Sequence, residues 1–253
     1  MRSKAFILIF FTFLLVLSCN KNQNIKFETL SFTEKNFDCT TECPEMNIDK
    51  VFAKSSSPIA NKINKLIDQR FIYLLTLDED KASHTENFEA AAGTFVQSYQ
   101  NDKASFPDMA AKYDATIESE VLHHSKNLLS LHIFSHIYTG GAHGFSATTY
   151  INIDPRTGEE IEVEQLINNK EKFIALVEKK FRDTYNIPSE EDINSTKFLF
   201  ENNSFELPSQ IGFDNRNMLL TYNPYDIAPY SEGLIHLKLP IEEIQDFINI
   251  DLK

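Results

Sequence analysis

The sequence predicts an α+β protein of antiparallel sheets with packed helices. Apolar residues recur at helical spacing over 59–71 and 88–99, then take up the alternating pattern of strands over 113–154. Helical spacing returns near residue 173, and proline, glycine and asparagine clusters punctuate the segments throughout. Hairpins mixed with separate helices fit this class better than a parallel dinucleotide-binding sheet.

The first element is not part of the folded body. Arg2 and Lys4 precede an apolar run from Ala5 to Leu17 that only Thr12 interrupts, and Ser18-Cys19 follows. As a helix the run would reach about 20 Å, short of the roughly 20 residues a bilayer core needs. It reads as an export signal at 1–18 that is cleaved before Cys19. A cysteine at the cleavage point is expected to carry lipid, with the polar residues 19–24 as a tether.

Ile25 to Lys35 and Met46 to Phe52 read as two strands flanking a turn that contains Cys39 and Cys43. An oxidising envelope permits a disulfide between these two cysteines, and a turn brings the Cα atoms within the reach a bridge needs. A metal site is the weaker reading, since no second cysteine pair or histidine group stands nearby. Ser57-Pro58 opens a helix, with serine as cap and proline at the first helical position. Ile59, Ile63, Leu66, Ile67 and Phe71 supply its buried face. A second helix after Thr85 buries Phe88, Ala92, Phe95, Val96 and Tyr99, and Phe106-Pro107 ends it.

Tyr113 to His123 and Leu128 to Tyr138 are expected strands around a tight turn at His124-Ser125-Lys126-Asn127. Phe145 to Asp154 is a third strand, closed by the turn Asp154-Pro155-Arg156-Thr157-Gly158. A short helix at Val163 to Ile167 precedes a longer one whose stripe is Phe173, Leu176, Val177 and Phe181. Residues 187–208 read as a polar loop with a short ordered piece at Phe198 to Phe200. Met218 to Tyr222 and Gly233 to Leu239 are strands, and Pro240 opens a last helix. The best internal seam lies near Phe106-Pro107, giving parts at 25–106 and 107–250, although strands from both could share a surface.

The formal net charge of −13 argues against a nucleic-acid partner, which needs a positive footprint. It also argues against broad adsorption to anionic lipid, so lipid on Cys19 would have to supply the membrane attachment. A basic protein partner remains compatible with this charge.

Four stretches carry a family resemblance: Tyr138-Thr139-Gly140-Gly141-Ala142-His143-Gly144; Asn152-Ile153-Asp154 with Thr157-Gly158-Glu159; Leu219 to Gly233 with its Tyr-Pro-Tyr-like and Ala-Pro-Tyr segments; and Leu239 to Ile248. Their order and spacing resemble the RsiV-like and PdaC-type extracytoplasmic domain family, DUF3298 with an N-terminal DUF4163-like part. The resemblance covers roughly 27–250 and implies a two-part α+β body outside the cytoplasmic membrane. It also implies binding of an envelope protein such as lysozyme, or of cell-wall glycan. Neither a sigma-factor-binding segment nor an additional deacetylase domain is found in the sequence, so those activities are not carried over.

The candidate binding residues are Tyr138, Gly140, Gly141, His143, Tyr222, Tyr225 and Tyr230. The glycines admit positive φ and close approach, and His143 either faces a small polar pocket or locks the turn through backbone bonds. The tyrosines either form an amphipathic contact surface or pack the loop against the sheet. His123, His124, His132 and His136, with Glu118 and Glu120, could meet on a sheet face, but alternating histidines more often just line one. Ser135, Ser146 and His143 lack a nucleophile turn. No catalytic residue, metal or cofactor is assigned. The expected function is a non-catalytic, lipid-anchored envelope module that binds or senses a wall component or protein; the alternative is a peptidoglycan-acting hydrolase or deacetylase.

Overall fold

The computed structural model describes residues 25–76 and 79–252. The expected export signal at 1–18, and Cys19 with the expected tether, lie outside the described residues. Among the described residues no helix is long and apolar enough to cross a membrane.

The first module is a six-stranded sheet covered on one face by helices. Strand β1 (Phe27–Phe32) pairs antiparallel with β2 (Glu45–Ala53), and the cysteine turn joins them. Cys39 and Cys43 form a disulfide with Cα atoms 5.8 Å apart, and the Gln100 amide reaches over it to the Thr41 carbonyl at 3.4 Å. Helix α1 (Pro58–Thr76) begins as its sequence dictates, with the Ser57 hydroxyl accepting from the Ala60 amide at 3.2 Å. The short α2 (Glu79–His84) has too few residues for an amphipathic period and was not expected. Helix α3 (Phe88–Ser105) is capped by Asn87, whose side chain accepts from the Ala90 amide at 2.9 Å.

Strands β3 (Asp114–His124), β4 (Leu129–Tyr138) and β5 (Phe145–Asp154) follow as an antiparallel meander, with β6 (Glu159–Glu160) at its edge. The sheet order is β1 to β6 in sequence. One pairing departs from the antiparallel expectation: β2 and β3 run parallel. A helical crossover through α1 and α3 separates them, and a parallel pair needs such a crossover. That pairing bridges the Phe106–Pro107 seam, so strands from both expected parts share one sheet. Period-two alternation then decides the faces. Leu129, Leu131, Ile133 and Ile137 of β4 point to the helices and are buried with Ile63, Ile67, Phe71 and Phe95.

The second module holds a separate core. Helices α4 (Val163–Leu166) and α5 (Lys170–Tyr185) lead into irregular chain, then into a three-stranded antiparallel sheet. Its strands are β7 (Gln210–Phe213), β8 (Asn217–Tyr222) and β9 (Ile235–Pro240), and the short α6 (Ile241–Ile244) follows. Phe198 and Phe200 belong to no regular element but are buried against Phe181, at ring distances of 4.8 and 5.4 Å.

The modules meet along β5, a strand whose outer edge β6 covers only at its end. Exposed edge groups invite pairing by other chains, and here second-module side chains occupy them. The Asn223 side chain accepts from the Thr148 amide at 2.8 Å and donates to the Thr148 carbonyl at 3.1 Å. The Gln210 side-chain oxygen accepts from the Tyr150 amide at 3.1 Å. Below them Asn152 donates to the Ile211 carbonyl at 2.7 Å. Gly212 lies under the Tyr150 ring, where a Cβ would collide with Cδ1.

Candidate functional site

The glycine–histidine segment lies at this junction. It leaves β4 at Tyr138 and returns into β5 at Phe145, with Gly140 and Gly141 at φ of 101° and 90°. L side chains rarely adopt such values, so two consecutive glycines let the chain reverse here. Phenols tie the loop at both ends. Tyr138 donates to the Gly141 carbonyl at 3.0 Å, and Tyr230 of the second module donates to the Gly144 carbonyl at 2.6 Å. Tyr138 is only half-buried and works as a clamp on the loop rather than as core filling.

His143 stacks on Tyr230 with centroids 3.9 Å apart and planes within 19°. Its Nδ1 lies 2.9 Å from the Gly144 carbonyl oxygen. A carbonyl can only accept, so the neutral ring carries its proton on Nδ1 and leaves Nε2 as an acceptor. Both readings of His143 therefore meet in one residue: it locks the turn and lines a cleft of about 460 Å³. The floor of the cleft is Ile137, Phe145 and Ala147. Tyr73 of α1 forms one wall, and Gln210 with Asn223 the other. Phe145 and Tyr73 are 43% and 48% exposed and line the cleft from the strand and the helix.

The tyrosine segment separates into three fates. Tyr230 is the partner of His143. Tyr225, 61% exposed, has its ring 5.7 Å from Tyr230. Its backbone is at φ 75°, between Pro224 and Asp226, whose amide donates to the Asn223 carbonyl at 3.0 Å. Proline second and positive φ third describe a type II turn, where glycine is the usual third residue. A bulky ring here carries backbone strain of about 1–3 kcal/mol. Asp226 anchors the turn by accepting from the Asn223 amide at 2.8 Å, and burial holds its carboxyl above the usual range. Tyr222 is different. It is 3% exposed, packs against Phe181 and Phe200, and donates to the Glu206 carbonyl, so its place is in the second core and not on the contact surface. It lies on a strand face that alternation turns inward.

The histidines do not converge. His132 faces Glu120 at 3.3 Å, His136 faces Ser146 at 2.8 Å, and His123 faces Asn215 at 3.2 Å. His132 and His136 share the outer sheet face, as alternation requires. His132 also borders a hollow of about 540 Å³ between the two sheets, with Glu118, Glu120 and His236. Burial holds His124 and His236 below the ordinary imidazole range. Ser135 lines the cleft, but its hydroxyl and that of Ser146 lie on opposite faces of the sheet, following the register His136↔Ser146 and Ser135↔Ala147.

Sequence reasoning did not find Arg70, Tyr73, Phe145, Gln210 or Asn223. Only Tyr73 gave a signal, as an aromatic on the polar side of an amphipathic helix.

Fold and junction thus define a two-module α+β protein with an aromatic-lined cleft where the modules meet. Residues 32–146 match the family model described as deacetylase PdaC, and residues 161–242 match that described as a protein of unknown function, DUF3298. These two matched segments, in this order, agree with the sequence resemblance to the DUF3298 and PdaC families. It is similar to a DUF3298 family member from Bacteroides fragilis at 20% identity, covering 90% of this chain and 94% of that one with a TM-score of 0.60. A DUF3298 family protein from Pseudomonas aeruginosa is similar at 19% identity, covering 91% and 97% with a TM-score of 0.59. At these identities the likeness establishes the fold. No curated protein matches the chain. His143 falls in the first matched segment and Tyr225 and Tyr230 in the second, so the ring row draws on both.

Proposed function

We propose that this protein is a non-catalytic lipoprotein of the bacterial envelope that binds or senses a cell-wall component or an envelope protein such as lysozyme. Acyl chains on Cys19 would hold it at a membrane, with the folded body on the periplasmic or extracellular side. The observation that carries the binding reading is the pinned loop. His143 is immobilised by Tyr230 on one ring face and by Gly144 at Nδ1, beside a cleft that displays Phe145 and Tyr73. Rigid, pre-set contact groups lower the ordering cost of association. The strained, exposed Tyr225 supports the same reading, because strain persists where structure over-determines it and clusters at ligand-contacting sites.

A second reading, hydrolysis or deacetylation of peptidoglycan, has one specific observation in its favour: the first matched family is described as a deacetylase. The composition of the cleft favours binding instead. His143 is a proton carrier in its lining, but none of the described lining residues is an aspartate or glutamate that could act as the second acid–base group or orient the imidazole.

The deciding experiment incubates processed protein with purified wall fragments, with and without divalent metal ions. Retention of fragments without change in their masses is expected. Released products that vanish in His143→Ala would establish the hydrolytic reading and displace this one.

A further inference from the structure

The cleft does not end at the glycine–histidine loop. A second hollow of about 390 Å³ runs along the same edge of β5, and four residues, Arg70, Tyr73, Thr149 and Gln210, line both. The floor strand extends from Phe145 beside the loop to Asn152 at the far end, roughly 23 Å at about 3.3 Å per residue. The occupant of such a shape is an extended chain several units long. Resting on the binding reading above, we infer that the two hollows form one groove that takes an uncharged, linear oligosaccharide.

Three features select this class. An extended peptide would bind here by adding a strand to β5, yet Asn223 already occupies both backbone groups of Thr148, Gln210 the Tyr150 amide, and the Ile161 amide the Asn152 carbonyl. The strand edge is closed to peptide. Charge provides the second feature. Arg70 is the groove's only cation among its described lining residues, and Glu160 accepts both of its bonds, at 2.7 and 2.9 Å. A neutralised arginine gives an anionic polymer little to bind. The third is the rest of the lining, which apart from Glu162 is uncharged: exposed ring faces at Tyr73 and Phe145, with hydroxyl groups at Thr139, Thr149 and Ser209 along the rim. Pyranose rings present apolar C–H faces and hydroxyl edges, which match ring faces flanked by polar rims.

Titration calorimetry on the full processed chain tests this with two neutral series, chitin oligosaccharides and cello-oligosaccharides of two to six units. For at least one series, affinity should rise tenfold or more from dimer to hexamer. Tyr73→Ala removes an exposed ring from a helix surface, where alanine is well tolerated, and should weaken the hexamer at least tenfold. Ser209→Arg blocks the far hollow, and should weaken the hexamer while leaving the dimer unchanged. Absence of binding by both series, affinity independent of length, or indifference of the hexamer to Ser209→Arg would overturn the inference. Oligogalacturonate binding more tightly than the neutral chains would overturn it too. If wall fragments are still retained in that case, only the ligand class fails; if they are not, the binding reading fails with it.

Discussion

In the first module α1 and α3 lay Ile63, Ile67, Phe71 and Phe95 against a six-stranded sheet, so regular elements supply nearly every buried side chain. The second module gathers rings around Phe181 instead. Tyr185, Phe198, Phe200, Phe205 and Tyr222 lie 4.7–5.9 Å from it, and three of the five come from chain outside helices and strands. Backbone ladders hold the first core in place, whereas side-chain packing must hold the irregular part of the second. The cleft lies between these two kinds of support: its floor is laid on the regular sheet and its far wall on the aromatic core.

The largest expected effect tests this contrast directly. Phe181→Ala should cost about 3–5 kcal/mol, because the ring is in contact with five others whose packing holds the irregular chain. Urea unfolding followed by near-ultraviolet circular dichroism measures it. The sharpening observation is hydrogen exchange. Protection should fall throughout the second module and persist in β3 and β4. Equal loss in both modules would show that the cores are one cooperative unit.

Next comes the junction. Gly212→Ala places a methyl group against the Tyr150 ring and should cost about 1–3 kcal/mol. Thermal unfolding should then broaden or split, as the two modules lose their common seam. A single transition of unchanged width would mean that the seam adds nothing to cooperativity.

Tyr225→Gly should act in the opposite direction on stability. Glycine relieves the positive φ, against which its extra unfolded-state entropy counts, for a net gain of up to about 1 kcal/mol. Retention of wall fragments should fall in the same variant. A more stable protein that binds less well separates a contact role for Tyr225 from a structural one.

The smallest effect is on pH dependence. Burial depresses His236 in the second module and His124 in the first. The unfolded chain therefore binds more protons than the folded one below about 6.5. Stability should fall as pH drops through that value, and His236→Gln should blunt the fall. The raised carboxyls of Asp114 and Asp226 have the opposite sign: their contribution is present at low pH and is lost as pH rises above 3.8 toward their folded values. Melting temperatures between pH 7.5 and 5.5 isolate the histidine contribution.

The same contrast explains what was legible in the sequence. Helix α1, helix α3 and the β3–β5 meander each bury one face, and burial of one face writes a period into the residues. The strand Phe145–Asp154 was readable to its ends for that reason. Strand β7 was not: it has four residues, and Gly212 interrupts its alternation because Tyr150 needs the space. The buried Phe198 and Phe200 show the same limit, since irregular chain has no period to betray them. At the site, the glycine–histidine loop announced itself through local composition. The cleft beside it did not, because Tyr73, Phe145, Gln210 and Asn223 come from distant elements that only the tertiary fold brings together. The parallel β2–β3 pairing was hidden too, since alternation is the same in parallel and antiparallel strands.

Hydrogen exchange on the processed protein, with and without saturating wall fragments, tests the central claim most directly. Protection is predicted over the loop at 138–145, the turn at 223–230 and the exposed face of α1 around Tyr73, with fragment masses unchanged. Protection confined to surfaces away from the junction, or fragments cut during the incubation, would contradict a binding cleft built between the two modules.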